Sequence, residues 1–195
     1  MRETGTGSDG AERLVSSPCV ELQSNVTRIQ TMLDELGARH LLIGGHAMAA
    51  YGRPRRTFDV DFAVDAAAHG VLRERMESNG YETLHDSPGY SNHAHPDPSI
   101  GRVDFVYVSG ATADRLFGES REVTLEDGSR VKVPSPEHLA AMKIFAIKND
   151  PSRTFSELAD IAYLARVPGV DGESIAREFE RHRMKELWNE IQRTR

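Results

Sequence analysis

Hydrophobic positions in the first third of the chain follow two spacings, and each is typical of one kind of secondary structure. Intervals of three and four residues predict an amphipathic helix over residues 20–37. The apolar residues of that helix are Leu22, Val26, Ile29, Leu33 and Leu36. A short apolar run at 40–43 and an alternating pattern at 57–64 predict two strands.

The pattern of apolar, polar and turn-forming residues continues along the rest of the chain. It predicts helices or helical turns at 47–51, 67–79, 111–117, 137–149 and 155–166, and one long or two short helices over 173–192. It predicts strands at 81–85, 102–108, 121–125 and 130–133, with the Asp127–Gly128 pair as a hairpin turn. The polar stretch 86–99 is predicted to be a loop. Ser135 and Pro136 form a helix start, as N-cap and first helical residue.

This order of elements predicts an α+β fold with three parts. Residues 1–18, rich in Gly, Ser and Thr, are predicted to be a mobile arm. Residues 19–134 form a mixed sheet with flanking helices, and residues 135–195 form a C-terminal helical region.

Composition narrows the class of protein. The 195 residues are 38% hydrophobic and 28% charged, which allows a core and argues against global disorder. A net charge of −6 argues against a general nucleic-acid coat. The single cysteine, Cys19, and the lack of an apolar run near 20 residues predict a cytoplasmic protein without a membrane partner.

The most informative stretch runs from residue 41 to residue 64. Gly44 and Gly45 follow the first strand and open a short helix, whose free N–H groups suit phosphate oxygens. One face of the next strand collects polar residues: Arg55, Thr57, Asp59 and Asp61. Its other face carries Phe58, Val60 and Phe62, which we expect to be buried.

A third carboxylate, Asp104, lies on the strand at 102–108. If that strand neighbours the one at 57–64, Asp59, Asp61 and Asp104 converge at one sheet edge. Two of them would hold Mg²⁺ together with substrate phosphates, and the third would share the metal or accept a proton from an attacking hydroxyl. This equipment suits in-line attack on the α-phosphate of a nucleoside triphosphate.

These motifs resemble the nucleotidyltransferase superfamily that contains the DNA polymerase β palm. The pattern is Ile43-Gly44-Gly45, thirteen residues, then Asp59-Val60-Asp61-Phe62, with Asp104 on a later strand. Within the superfamily the chain is similar to the bacterial AbiEii-like group, which includes toxins of type IV toxin–antitoxin systems. That similarity covers about residues 20–165 and includes Arg55-Arg56-Thr57-Phe58-Asp59-Val60-Asp61, Lys143 and Leu158-Ala159-Asp160-Ile161.

The resemblance implies a set of roles. Asp59, Asp61 and Asp104 would be catalytic and would bind Mg²⁺, with Mn²⁺ as the alternative ion. The nucleotide would be bound by Gly44, Gly45, His46, Arg55, Thr57, Lys143 and Asp160. One departure stands out, because Ser156-Glu157 replaces the Lys-Asp pair that such proteins often carry.

Several alternatives remain open at this point. Lys143 either binds phosphate or is a snorkelling surface lysine, Asp160 either forms a structural ion pair or contacts Lys143 in the site, and His46 either contacts phosphate or only fills space. The acceptor is a tRNA end, a protein or a small molecule, and a toxin would require an antitoxin partner. The rival functions are an inactive nucleotide-binding protein and a metal hydrolase that uses His93, His95 and Asp97.

Overall fold

The computed structural model describes residues 18–54, 57–125 and 128–193, with side chains from Asn25 onward. The helices are α1 (Pro18–Glu35), α2 (Gly44–Ala50), α3 (His69–Ser78), α4 (Gly110–Gly118), α5 (Pro136–Asn149), α6 (Thr154–Leu164), α7 (Gly172–Arg181) and α8 (Lys185–Arg193). The strands are β1 (His40–Leu42), β2 (Asp59–Asp65), β3 (Glu82–Ser87), β4 (Tyr90–Ala94), β5 (Arg102–Val108), β6 (Arg121–Thr124) and β7 (Arg130–Val133). Residues 1–17 of the predicted arm and the Glu126–Asp127 part of the hairpin lie outside the described residues, whereas Pro18, predicted to end the arm, is the first residue of α1.

Five strands form one mixed sheet in the order β1-β2-β5-β4-β3. β2 and β5 are parallel, whereas β1–β2, β5–β4 and β4–β3 are antiparallel. β6 and β7 form a separate two-stranded hairpin. The predicted α+β class is confirmed, and the parallel pair makes β5 a central strand next to the strand that carries Asp59 and Asp61.

The two faces of the sheet differ in character. One face carries Val60, Phe62 and Phe105, which join a large core cluster with residues of α1 and α3 such as Leu33 and Leu72. The other face carries a small apolar cluster in which Ala63 of β2 packs with Leu41, Ile43 and Leu116. Asp59 and Asp61 precede Ala63 at alternate positions on that face, so the face changes along β2 from acidic to apolar.

The C-terminal helices share the core of the sheet. Ser135 caps α5 by accepting a hydrogen bond from the backbone N–H of His138, and Pro136 is in the first turn, as predicted. Leu139, Ile144 and Ile161 belong to the same core cluster as Phe62. Residues 173–192 contain two helices, α7 and α8. Of the helices in the described part of the chain, none combines the length and apolarity needed to cross a bilayer.

Two sequence-based predictions are wrong. The loop predicted at 86–99 is wrong for residues 86–94, because the end of β3 and all of β4 lie there, joined at Pro88–Gly89, whereas residues 95–99 belong to no helix or strand. β4 was missed because its buried residues Ser91, Asn92 and His93 are polar, so it lacks an alternating apolar signal. Phe58 is not buried but 69% exposed, because β2 begins only at Asp59.

A directed chain of hydrogen bonds explains how β4 carries a fully buried histidine. The Thr83 hydroxyl donates to Glu77 Oε1 (3.0 Å), so its oxygen is left to accept from His93 Nδ1 (3.2 Å). In a neutral imidazole, His93 Nε2 then accepts from the Ser91 hydroxyl at 2.9 Å, and Ser91 Oγ lies 2.8 Å from the Tyr107 hydroxyl. The neighbouring groups therefore place the proton of the neutral ring on Nδ1.

Burial lowers the pKa of His93, opposed by the charges of Asp86 and Glu77. A depressed folded-state pKa means that the unfolded chain binds more protons below the ordinary histidine pKa of about 6.5. We therefore expect the free energy of unfolding to fall as the pH drops below that value. His93→Gln, which keeps one donor and one acceptor without a titrating ring, should weaken this dependence in denaturant titrations between pH 5 and 7.5.

The control is His85→Gln, because His85 is an exposed histidine of the same sheet. It should leave the pH dependence unchanged. An identical dependence in wild type and His93→Gln would contradict a neutral His93.

Candidate active site

Three side chains from neighbouring strands form a row across the sheet. Asp61 of β2 is the register partner of Asp104 of β5, and Asp104 is in turn the partner of Asn92 of β4. Asp59 lies two residues before Asp61 and pairs with Arg102. Directly paired residues share a face, so the carboxylates of Asp59, Asp61 and Asp104 lie on one face near the amino-terminal ends of β2 and β5.

Gly44 brings the start of α2 against this row. Its φ of +64° lies in the left-handed region, and a Cβ added there would lie 2.0 Å from Asp61 Oδ2. The neighbouring Ile43 N–H donates to the Asp61 carbonyl oxygen at 2.9 Å. Only a residue without a side chain allows the glycine corner to approach the carboxylate this closely.

Gly45 and Thr57 form a second close contact beside the first. A Cβ on Gly45 would lie 3.0 Å from Thr57 Cβ, and the Thr57 hydroxyl donates to the Asp59 carbonyl oxygen at 3.2 Å. Gly44 thus lies against Asp61, and Thr57 contacts both Gly45 and the backbone of Asp59. Arg55 lies outside the described residues.

His46 follows the glycine pair and carries a buried ring nitrogen, Nε2, without a hydrogen-bond partner in the described part of the protein. Burial lowers the pKa of His46. The imidazole is therefore held toward its neutral form beside the glycine corner.

The environment of Asp104 opposes its ionisation. Burial raises the pKa of this carboxyl, and the charge of Asp59 adds to the effect, while hydrogen bonds from Asn92 and Tyr90 act the other way. Burial and the Asp104 carboxylate in turn raise the pKa of Tyr90 to about 12, so its hydroxyl stays protonated. The hydroxyl of Tyr90 is thus available as a donor beside Asp104.

Sequence reasoning missed Tyr90, Asn92 and Arg102 as neighbours of the carboxylates. Asn92 Nδ2 donates to Asp104 Oδ1, and Arg102 Nη2 donates to Asn92 Oδ1 at 2.9 Å. Tyr90 and Asn92 lie in the segment assigned to a loop. The available signal was a Tyr-x-Asn alternation followed by a strand with Arg-x-Asp. It predicts contacts among these side chains only if the two strands are known to pair.

Lys143 is buried in an ion cluster instead of reaching solvent. Its Nζ lies 2.8 Å from Glu157 Oε2 and 2.7 Å from Asp160 Oδ2, and the side chain is 7% exposed. Arg53 Nε approaches Asp160 Oδ1 at 3.1 Å, and Arg153 pairs with Glu157. The interpretation of Lys143 as a snorkelling surface lysine is wrong, and Asp160 and Glu157 are its partners.

The donor chemistry of the row suits Mg²⁺ bound together with a substrate. Carboxylate oxygens are hard ligands, and Mg²⁺ typically takes one or two of them and completes its shell with phosphates and water. The described residues contain no group of three or more His, Cys, Asp or Glu side chains gathered to hold a metal by themselves.

The histidine-based alternative has no comparable site in the structure. Both ring nitrogens of His93 lie at hydrogen-bond distance from hydroxyls in the interior, whereas His95 Nδ1 accepts from the Asp97 backbone N–H at 3.0 Å. The structure does not gather His93, His95 and Asp97 into a ligand set.

A cavity of about 330 Å³ lies elsewhere, between α1, β1 and the β6–β7 hairpin. It is lined by residues such as Asp34, Arg39 and Lys132, and it includes no predicted site residue. Its walls do not extend the candidate active site.

Comparison with known proteins identifies the fold. No family model and no curated protein sequence matches the chain. The solution structure of the antibiotic-resistance factor ANT(2'')-Ia is similar with a TM-score of 0.67 and 14% identity, covering 90% of this chain and 98% of that one. Its crystal structure in complex with adenylyl-2''-tobramycin gives a TM-score of 0.62 at 15% identity, covering 87% and 99%.

A third similar structure is the lincosamide antibiotic adenylyltransferase LnuA, lincomycin-bound, with a TM-score of 0.55 and 16% identity, covering 74% of this chain and 97% of that one. The chain therefore has the nucleotidyltransferase fold, with a helical C-terminal part.

We expect Gly44→Ala to disrupt the site more than a left-handed backbone alone would explain. Gly37→Ala is a matched control, because Gly37 has a φ of +63° but no atom within 4 Å of an added Cβ. The control should lose about 1 kcal/mol of unfolding free energy, the cost of placing a side chain in this conformation. Gly44→Ala should lose clearly more, because Asp61 must move.

Chemical denaturation of the two variants measures this difference. Equal losses would show that Asp61 does not lie against Gly44.

Replacing Lys143 should cost far more stability than replacing an exposed lysine of the same helix. Lys143→Met leaves Glu157 and Asp160 buried without their shared cation, which predicts a loss of about 3 kcal/mol, at the lower end for a broken buried pair because Arg53 and Arg153 remain. Lys148→Met on the exposed side of α5 should change stability by no more than about 0.5 kcal/mol. Equal effects in urea titrations would refute the buried cluster.

Proposed function

We propose that this protein is a Mg²⁺-dependent nucleotidyltransferase that moves a nucleoside monophosphate from a nucleoside triphosphate to a hydroxyl group. The observation that carries this proposal is the meeting of the Asp59, Asp61 and Asp104 row with the glycine corner at Gly44. The nucleotidyltransferase fold supports it.

Each group has a role in the proposed reaction. Asp59 and Asp61 would hold the metal with Asp104, and Mn²⁺ could replace Mg²⁺. The ion would supply positive charge to the phosphates when it is bound. Gly44 and Gly45 offer backbone N–H groups to the phosphates, supported by His46, Thr57 and Arg55.

In the proposed transfer, one phosphorus–oxygen bond forms and one breaks. The acceptor oxygen forms a bond to the α-phosphorus, the bond between this phosphorus and the bridging oxygen breaks, and pyrophosphate leaves. Asp104 takes the proton of the acceptor hydroxyl.

Lys143 and Asp160 have supporting roles in the proposed nucleotide site. An ammonium has three N–H donors, and Glu157 and Asp160 occupy two of those of Lys143. One donor is left for a phosphate oxygen. Asp160 contributes to the proposed nucleotide site by holding Lys143 and Arg53 through its ion pairs.

The acceptor we favour is a hydroxyl of a small molecule. The similar structures include proteins described as an antibiotic-resistance factor and a lincosamide antibiotic adenylyltransferase. A tRNA end or a protein hydroxyl, with a toxin role and an antitoxin partner, is the second candidate, and it is favoured by the AbiEii-like sequence pattern around Asp59 and Asp160. An inactive nucleotide-binding protein would have little reason to keep three carboxylates on one face.

Asp59→Asn should abolish transfer without unfolding the protein. With an α-labelled triphosphate, Mg²⁺ and a panel of acceptors, we expect a loss on the order of 10³-fold, because a neutral amide is a poor metal ligand. The panel contains lincomycin, tobramycin, total tRNA and a cell extract. Asp34→Asn, an exposed residue of α1, is the matched control and should keep full transfer.

The acceptor that becomes labelled decides between the two candidates. Growth arrest on expression of wild type, but not of Asp59→Asn, would favour the toxin. Triphosphate binding without transfer to any acceptor would favour the inactive alternative.

A further inference from the structure

Asn92 is an unusual residue for the centre of a sheet. Its side chain belongs to β4, between β3 and β5, and the residue is only 4% exposed. A buried amide carries two donors and an acceptor that all need partners, and an unsatisfied one costs about 1–3 kcal/mol. An apolar residue at this position would avoid that requirement.

The neighbours of Asn92 determine which way its amide points. The Arg102 guanidinium can only donate, so the atom that faces it must be the Asn92 oxygen, and Arg102 Nη2 lies 2.9 Å from Oδ1. Nδ2 is thereby turned toward Asp104 Oδ1, to which it donates. Arg102 therefore presents the amide to Asp104 as a donor.

The geometry of the sheet makes this contact directional. Asn92, Asp104 and Asp61 are register partners on three adjacent strands, so Asn92 approaches Asp104 from the side opposite to Asp61. A donor on Oδ1 fixes the rotation of the carboxylate and leaves Oδ2 for other partners. Tyr90, two residues before Asn92 on the same face, adds a second donor beside the same group.

We propose that Asn92, oriented by Arg102, is a positioning residue that holds the Asp104 carboxylate in the orientation in which it serves the metal and the acceptor hydroxyl. The proposal rests on the proposed nucleotidyltransferase function for its consequence, but the Arg102–Asn92–Asp104 chain is testable without any activity. Hydrogen bonds to metal-ligating groups are commonly worth 10- to 100-fold in metal affinity or rate.

The first experiment follows the Asn92 side-chain NH₂ signals in ¹⁵N–¹H NMR spectra of the full chain. Asp104→Asn removes the anionic acceptor, and Arg102→Ala removes the group that orients the amide. Both should shift these signals, while the backbone signals of β1 and β3 stay in place. Signals that are unmoved in both variants would overturn the proposed chain.

The second experiment compares two replacements of Asn92 by Mn²⁺ titration, followed by electron paramagnetic resonance, with a non-hydrolysable ATP analogue present at pH 8.5. Asn92→Ala should weaken Mn²⁺ binding about 10-fold. Asn92→Leu keeps the approximate shape but has no donor for Asp104, so it should weaken binding about as much as Asn92→Ala. A merely structural role predicts instead that Asn92→Leu keeps the affinity, because Leu fills the site and Ala does not.

Ser91→Ala is the matched control. Ser91 is equally buried on β4 but faces Tyr107 and His93 on the opposite side of the sheet. It should lower stability and leave Mn²⁺ affinity within about twofold, since none of its hydrogen bonds reaches Asp104. The same loss of affinity in Ser91→Ala and Asn92→Ala would assign the effect to general damage of β4 and overturn the proposal.

Failure of the proposed nucleotidyltransferase function and failure of the positioning role of Asn92 would give different experimental results. Wild type that binds no Mn²⁺ with the analogue would reject the proposed function, while the NMR result would still decide the role of Asn92. If wild type binds Mn²⁺ and both Asn92 variants bind it as tightly as wild type does, the positioning role alone would be rejected. Where Asn92→Leu does not fold, Arg102→Ala takes its place in the titration, with an expected loss of about 10-fold because the amide is free to turn.

Discussion

The parallel pairing of β2 and β5 is the constraint on which the site depends. It sets Asp61 beside Asp104, and a slip of one residue would turn Asp104 to the core face. Several contacts hold the entry to β5. Asn25 of α1 donates to the carbonyl oxygens of Ser99 and Ile100, and a Cβ on Gly101 would lie 3.2 Å from the Phe58 carbonyl oxygen. The register is therefore fixed by contacts at the end of the sheet where the carboxylates lie.

Much of this architecture follows from the sequence. Helices and strands with regular apolar spacing were predicted within a few residues, as in α1, α5 and β5. The pairing of Asp59 and Asp61 on one face also followed from strand alternation. Their relation to Asp104 was conditional, because which strands pair is a property of the folded sheet and not of local spacing.

The features that the sequence did not predict share a physical cause. β4 is a central strand held by polar side chains that satisfy one another, so hydrophobic periodicity cannot detect it. Lys143 is buried because Glu157 and Asp160 come from the next helix; the contact with Asp160 was one of two open alternatives, whereas the contact with Glu157 was not predicted. In both cases burial of polar groups is permitted by partners that are distant in sequence.

Contacts at the end of α2 connect the helical C-terminal part to the candidate active site. The Tyr51 hydroxyl, just after α2, donates to the Pro134 carbonyl oxygen at 2.6 Å, and the Tyr163 hydroxyl of α6 donates to the Tyr51 carbonyl oxygen at 2.9 Å. Arg53 reaches Asp160 from the same turn. The carboxyl end of α2 is thus held by the helices, while its amino end at Gly44 is held against Asp61. α2 has only seven residues, so attachments at its two ends hold the whole helix in place. The glycine corner is therefore kept at a fixed distance from the row of Asp59, Asp61 and Asp104.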